Sequence, residues 1–253
     1  PDKVRVFRLG PVTTIEIHRP EKRNCVDRHT AQLLADAFRQ FEEDADAKCA
    51  VLCGSNGNFC AGADLSKVDN RIEDDGDGPM GISRMSLSKP LICAVSGYAV
   101  AGGLELSLLG DIRICETDSI FGVFCRRFGV PLIDGGTVRL PRIVGRGVAM
   151  YMILTGKPIN AQEALRIGLV SEIVPTGTAR ERAEKMALEI SRMPQKCMLS
   201  DRKSAYAQED MTFNEAMRNE FDLGKQVVLS PEFKEGPSKF VQGEGKHGAF
   251  SKL

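Results

Sequence analysis

An α/β fold is what the sequence predicts, on three observations. Short strand-like runs alternate with helix-period segments through the first two thirds of the chain. The runs from Cys49 to Cys53 and from Pro90 to about Ser96 are apolar throughout, as in buried strands of a parallel sheet. Beyond Pro194 only helical patterning remains, which divides the chain into a core over 1–194 and a helical region over 195–253.

Taken in order, Val4 to Leu9 and Val12 to His18 alternate around Gly10-Pro11 and predict a β-hairpin. A helix follows from about Arg28 to Asp44, with Leu33, Leu34, Ala37, Phe38 and Phe41 on its apolar stripe. The strand at Cys49–Cys53 closes on the turn residues Asn56-Gly57-Asn58. Ser66 to Leu87 lacks a sustained period and carries Glu73-Asp74-Asp75-Gly76-Asp77-Gly78, which reads as a mobile flap over a site or a solvated insertion. After the strand that Pro90 begins, Gly97 to Gly103 turns into a helix near Leu104–Leu109. A strand at Ile112–Cys115 follows, then helices through Val148–Leu154, Ala161–Ile167 and Thr178–Arg192. In the C-terminal region Met211, Phe213, Met217 and Phe221 form an apolar stripe suited to a neighbouring subunit as well as to the chain's own core.

Composition narrows the function. The 253 residues carry 34 basic and 34 acidic side chains, so no net field favours nucleic acid or an anionic membrane. The apolar stretch Leu91–Leu109 has the length of a membrane span, yet Glu105 and Gly102-Gly103 inside it favour a strand followed by a buried helix. Eight scattered cysteines without a CxxC pair read as reduced thiols. With only His18, His29 and His247 in the chain, a His-dependent hydrolase or a zinc site is disfavoured. No secretory signal is expected from the opening residues, and Pro1 in place of Met points to a trimmed N-terminus. The last residues, Ser251-Lys252-Leu253, match the address read by the peroxisomal import receptor, so a peroxisomal location is expected.

Two segments carry the chemistry. In Ala99-Val100-Ala101-Gly102-Gly103-Leu104-Glu105-Leu106 a buried strand hands over to a helix, and the glycines allow close approach of a ligand to helix N-terminal amides. Glu105, three residues after Gly102, can share a face with that amide, an arrangement suited to proton transfer beside an anion hole. The alternative is tight packing at the glycines and a helix-start role for Glu105. The small residues of Phe59-Cys60-Ala61-Gly62-Ala63-Asp64-Leu65 leave backbone N–H groups accessible after the preceding strand.

Together these segments give a chain that resembles the enoyl-CoA hydratase/isomerase, or crotonase, superfamily. The resemblance also takes in His18-Arg19-Pro20, Asn24, Pro90 to Asp111, Gly135-Gly136-Thr137, Leu154-Thr155-Gly156 and Gly168-Leu169-Val170. It implies a spiral of ββα units with a C-terminal helical trimerisation region, assembled as a trimer or a dimer of trimers. It implies an acyl-CoA thioester as substrate, with no prosthetic group and no metal. By resemblance the oxyanion-hole amides fall on Ala63 and Gly102, the catalytic glutamate on Glu105, and the border of the coenzyme A moiety on Arg23, Cys25, Ala61, Asp64 and Leu65.

The chain departs from the hydratase pattern in Phe121-Gly122-Val123-Phe124-Cys125-Arg126-Arg127, where Cys125 stands at the place of the second glutamate. Cys125 reads either as a buried structural thiol lining the site or as a thiolate lowered by Arg126 and Arg127. Asp134 offers a replacement carboxylate, because some isomerases of the superfamily carry one at or next to this position. The competing reading of Asp134-Gly135-Gly136-Thr137 is a turn and helix cap. The expected activity is hydration of a 2-enoyl-CoA with Glu105 and Asp134 as catalytic residues. Double-bond isomerisation of a Δ3-enoyl or dienoyl-CoA, or acyl-CoA binding without turnover, are the alternatives.

Overall fold

The computed structural model describes residues 2–242. The expected import signal at Ser251-Lys252-Leu253 and His247 lie outside the described residues. The chain divides into two compact units between Leu188 and Glu189, slightly before the Pro194 boundary expected from patterning.

The first unit opens with the predicted hairpin, β1 (Val4–Leu9) and β2 (Val12–Ile17), paired antiparallel with Val6 opposite Ile15. Helix α1 (Arg28–Glu43) starts at Asp27, whose side chain accepts a hydrogen bond from the Thr30 N–H and so caps the first turn. Its stripe buries Leu34, Ala37, Phe38 and Phe41, while Leu33 is half-buried. Each fully buried Leu or Phe contributes about 2 kcal/mol of transfer free energy. Strands β3 (Cys49–Gly54) and β4 (Leu91–Val95) are buried along almost their whole length, as their unbroken apolar sequences require.

After β4 the chain changes sheets, which sequence patterning does not anticipate. Gly97 takes φ +48° with its Cα pressed on the 56–58 turn: a Cβ there would lie 2.2 Å from the Gly57 carbonyl oxygen. The chain then forms β5 (Tyr98–Val100) instead of running directly from a turn into the helix. Next come α2 (Gly102–Leu109), β6 (Ile112–Glu116), β7 (Ile120–Gly122), α3 (Gly136–Val144) and α4 (Arg146–Thr155). The unit continues through β8 (Ile159–Asn160), α5 (Ala161–Arg166), β9 (Glu172–Val174) and α6 (Ala179–Ser191), which crosses the division. The main sheet has the order β1-β2-β3-β4-β6-β9, parallel beyond the first pair. A smaller sheet, β5-β7-β8, lies beside the site described below.

Ser66–Leu87 forms no regular secondary structure, yet neither expectation for it holds throughout. Residues 65–69 and 71–76 are exposed, whereas Met80, Ile82 and Ser83 are fully buried. The Leu91–Leu109 stretch is split among β4, β5 and α2, and no helix among the described residues is long and apolar enough to cross a membrane. All eight cysteines are free thiols.

The second unit contains α7 (Gln195–Ala207), α8 (Phe213–Val228) and α9 (Pro231–Val241). The Glu232 carboxylate accepts the Lys196 and Cys197 N–H groups, satisfying two donors at the start of α7. A reciprocal Thr212–Glu215 capping box starts α8.

Candidate active site

Ala63 owes its orientation to a bridge with Val26. The Val26 N–H donates to the Gly62 carbonyl at 2.8 Å, and the Val26 carbonyl accepts the Asp64 N–H at 3.0 Å. Because Val26 bonds to the residues on both sides of Ala63, the N–H of Ala63 itself faces the opposite edge. A buried arginine braces this bridge. Arg19 Nη1 donates to the Cys25 carbonyl at 2.6 Å and Nη2 to Asp64 Oδ2 at 2.8 Å, with Asp27 Oδ2 at 3.5 Å. Asn24, in the left-handed region at φ +58°, accepts the Arg19 N–H and donates to the carbonyls of Ser55 and Asn58. These bonds explain why Arg19 and Asn24 belong to the sequence pattern.

Gly102 begins α2, whose first amides have no partner within the helix. The Cys60–Ala99 bridge brings the two loops together, and close backbone contact requires small residues on both. A Cβ on Gly103 would lie 1.9 Å from the Cys60 carbonyl oxygen, and one on Gly62 would lie 3.1 Å from the Gly102 nitrogen. The residue joining strand to helix, Ala101, sits at φ +53°, a region L-residues rarely occupy. Among the described residues neither the Ala63 nor the Gly102 N–H meets an acceptor in the chain.

Glu105 stands on the first turn of α2 and is 2 % exposed. Its Oε1 accepts the N–H groups of Asp134 at 2.9 Å and Gly136 at 2.8 Å, so the entry to α3 fixes the carboxyl. Burial pushes its pKa up to about 7 against the pull of those two hydrogen bonds, with the nearby Asp134 adding to the rise. Oε2 accepts no hydrogen bond among the described residues, which leaves it for a substrate. Asp134 is 5 % exposed, and its Oδ1 accepts the Met80 N–H at 2.9 Å and the Ser83 hydroxyl. Burial raises its pKa too, opposed by these bonds.

A cavity of about 270 Å³ joins these groups. Of the residues expected at the site, Ala61, Ala63, Asp64, Leu65, Gly102, Glu105, Cys125 and Asp134 line it. Arg23 and Cys25 do not. The Arg23 guanidinium lies 5.2 Å above the Tyr98 ring, its carbonyl accepts the Ala61 N–H, and Cys25 is half-buried. The Asp64 side chain is committed to Arg19 and Ser66.

The surroundings of Cys125 favour the thiol over the thiolate. Burial, then the proximity of Glu105, holds its pKa above the ordinary thiol value. The Arg126 charge lowers it but is outweighed, with Arg126 Nε committed to the Ile153 carbonyl; Arg127 donates to the Gly156 carbonyl and stacks on Phe124.

Sequence reasoning missed Met80, Phe124, Phe128 and Val130 in the wall and Gly136 as a ligand of Glu105. The apolar break Pro79-Met80-Gly81-Ile82 in an otherwise polar segment was the available signal for Met80, and the place of Phe124, Phe128 and Val130 between Cys125 and Asp134 or next to them was the signal for the others. Gly136 had a signal only in its family motif; its necessity is steric, since a Cβ there would lie 2.9 Å from Glu105 Oε1.

Comparison with known proteins identifies the family. The sequence model for "Enoyl-CoA hydratase/isomerase" matches residues 9–247. The chain is 34 % identical over 246 residues to enoyl-CoA hydratase EchA19 of Mycobacterium tuberculosis, covering 94 % of this chain and 92 % of that one. It is 30 % identical over 251 residues to a carnitinyl-CoA dehydratase of Salmonella arizonae, covering 95 % and 96 %. A crystal structure of an enoyl-CoA hydratase from Mycobacterium tuberculosis superposes with a TM-score of 0.89 at 31 % identity, over 95 % of this chain and 96 % of that one. EchA1 of Mycobacterium marinum gives 0.89 at 29 % identity over the same shares, so the expected crotonase-like fold is the observed one. With a match across nearly its whole length, and with a buried glutamate beside two unpartnered amides, the chain belongs to the enoyl-CoA hydratase/isomerase family of enzymes.

Proposed function

We propose that the protein adds water to the double bond of a 2-enoyl-CoA thioester with an apolar acyl group. The observation that carries this reading is Glu105: a buried carboxyl, fixed through Oε1 with Oε2 left over, on the first turn of α2. The thioester oxygen accepts the Ala63 and Gly102 N–H groups. Ionised Glu105 takes a proton from water as the water oxygen bonds to Cβ, and the π electrons move onto the thioester oxygen as an enolate. Glu105 then returns the proton to Cα, the enolate collapses, and a 3-hydroxyacyl-CoA results. A carboxyl with pKa about 7 can both accept and donate at neutral pH, as one group serving two half-steps requires. Loss of either amide donor would cost about 3 kcal/mol of transition-state stabilisation.

The acyl class follows from the walls. Leu65, Val68, Ile72, Met80, Phe128 and Ile133 are apolar, Asp64 and Asn70 already bond to other parts of the chain, and Asp134 is engaged through Oδ1. An apolar acyl group therefore matches most of this wall. The hydratase and dehydratase names of the relatives support water chemistry. Cys125 favours a second reading: without a carboxylate there, a one-base proton shift between Δ3 and Δ2 double bonds is also within reach.

Mass spectrometry of products from 2-enoyl, 3-enoyl and dienoyl-CoA thioesters decides between them. Gain of one water supports hydration, and unchanged mass with altered retention supports isomerisation. Binding with no turnover across the panel makes the protein an acyl-CoA scaffold. Glu105→Gln should lower turnover by about a hundredfold or more. We further propose that the chain assembles as a trimer or dimer of trimers, in keeping with the exposed stripe on α8.

A further inference from the structure

We propose that the Asp134 carboxylate is a positioning group that latches the Met80–Ser83 segment onto the acyl cavity, and that Glu105 alone moves protons. This rests on the enoyl-CoA reading of the site. Two donors from one segment, the Met80 N–H at 2.9 Å and the Ser83 hydroxyl, converge on the single oxygen Oδ1 of Asp134. All three residues are buried. The segment has no strand or helix of its own to hold it. Its other hydrogen bonds are local or peripheral, the Gly81 N–H to the Gly78 carbonyl, the Arg84 N–H to the Asp77 carbonyl, the Met85 N–H to the Ile82 carbonyl and Asn70 Nδ2 to the Pro79 carbonyl, while Met80 and Ile82 also pack into the core and Gly81 lies against Ala31.

The latch matters because of what Met80 touches. A Cβ on Gly102 would lie 2.9 Å from Met80 Sδ, so the thioether packs against the face of Gly102, beside the amide assigned to the oxyanion. Met80 also lines the cavity together with Glu105. The same residue that ties down this wall donates its own N–H to Glu105 Oε1. Asp134 thus sets the wall and the proton carrier from one point on the chain: its carboxylate holds Met80, and its backbone orients Glu105. Both donors to the Asp134 side chain come from this wall, whereas both donors to Glu105 come from the α3 entry; that difference in partners is what places Asp134 to position the wall.

Asparagine separates the two roles. In Asp134→Asn the amide oxygen still accepts from Met80 and Ser83 but carries no titratable proton, whereas Asp134→Ala removes the acceptor. We expect Asp134→Asn to keep kcat within about threefold of the parent and to retain the acid limb of the pH–rate profile, moved to lower pH because the charge beside Glu105 is gone. Asp134→Ala should raise KM and the Kd for a saturated acyl-CoA by about tenfold or more, and Ser83→Ala should raise them by less. The saturated acyl-CoA Kd reads the latch without turnover, so it tests the inference even if the parent hydrates none of the panel. A folded Asp134→Asn whose kcat falls as far as that of Glu105→Gln would overturn the assignment. So would unchanged acyl-CoA affinity in Ser83→Ala together with unchanged affinity in Asp134→Ala, or, should the latter not fold, unchanged affinity in Ser83→Ala alone.

Discussion

The Glu105 carboxyl pays for its place in a cavity wall with a pKa near 7, against 4.5 for a free glutamate. In the folded chain it keeps its proton to a higher pH than in the unfolded chain. Its contribution to stability is therefore fully present below about pH 4.5 and is lost as pH rises through 7. Glutamine is neutral at every pH and its oxygen can still accept the Asp134 and Gly136 N–H groups. Glu105→Gln should consequently be more stable than the parent at pH 8.5, by about 3 kcal/mol, with little difference below pH 4.5; thermal denaturation at the two pH values reads this. The parent's hydration rate should fall below pH 7 as the base becomes protonated. A Glu105→Gln protein destabilised equally at both pH values would show that the carboxyl is not held as described. The residue assignment itself was legible in sequence, because Gly102-Gly103-Leu104-Glu105 puts amide and carboxylate on one helical turn. Its raised pKa was not, because that comes from burial among distant segments, with Asp134, twenty-nine residues away, adding to the rise.

Between elements, the critical junction is α2 against the start of α3. Gly135 takes φ +95°, and Gly136 then presents its N–H to Glu105 with no room for a side chain. Gly136→Ala should push the carboxyl from its place and lower kcat at least tenfold, with unchanged helix content by circular dichroism and a smaller change in KM. Activity equal to the parent's would mean that the junction can shift without loss. Elements with a long, clean period were legible: α1 runs one residue short of its expected end, and β3 and β4 fall within a residue or two of theirs. The three-residue strands β5 and β7 were not, because so few residues establish no period and their pairing is decided by distant partners. Ser66–Leu87 was misjudged for the same reason, since what buries Met80 and Ser83 is Asp134 and the face of Gly102.

For the whole molecule, α8 leaves large apolar side chains uncovered. Phe213 is 78 % and Phe221 68 % exposed, with Met217 between them on the same helical face. Such a stripe is suited to a second copy of the chain. Light scattering should then give three or six times the 27.6 kDa chain mass, and Phe221→Lys should shift it toward one. A single-chain mass for the parent would remove the assembly proposal.

By itself the sequence determined the α/β class and the long elements, because these rest on local period, and it set Glu105 one helical turn from Gly102 by short spacing; Ala63 and the departure at Cys125 were visible only through the resemblance to the family. Only the tertiary structure decided the surroundings of Cys125, the place of Met80 in the cavity wall and the neutral-range pKa of Glu105. Those depend on burial and on hydrogen bonds between segments far apart in the chain, and no local pattern of residues encodes either.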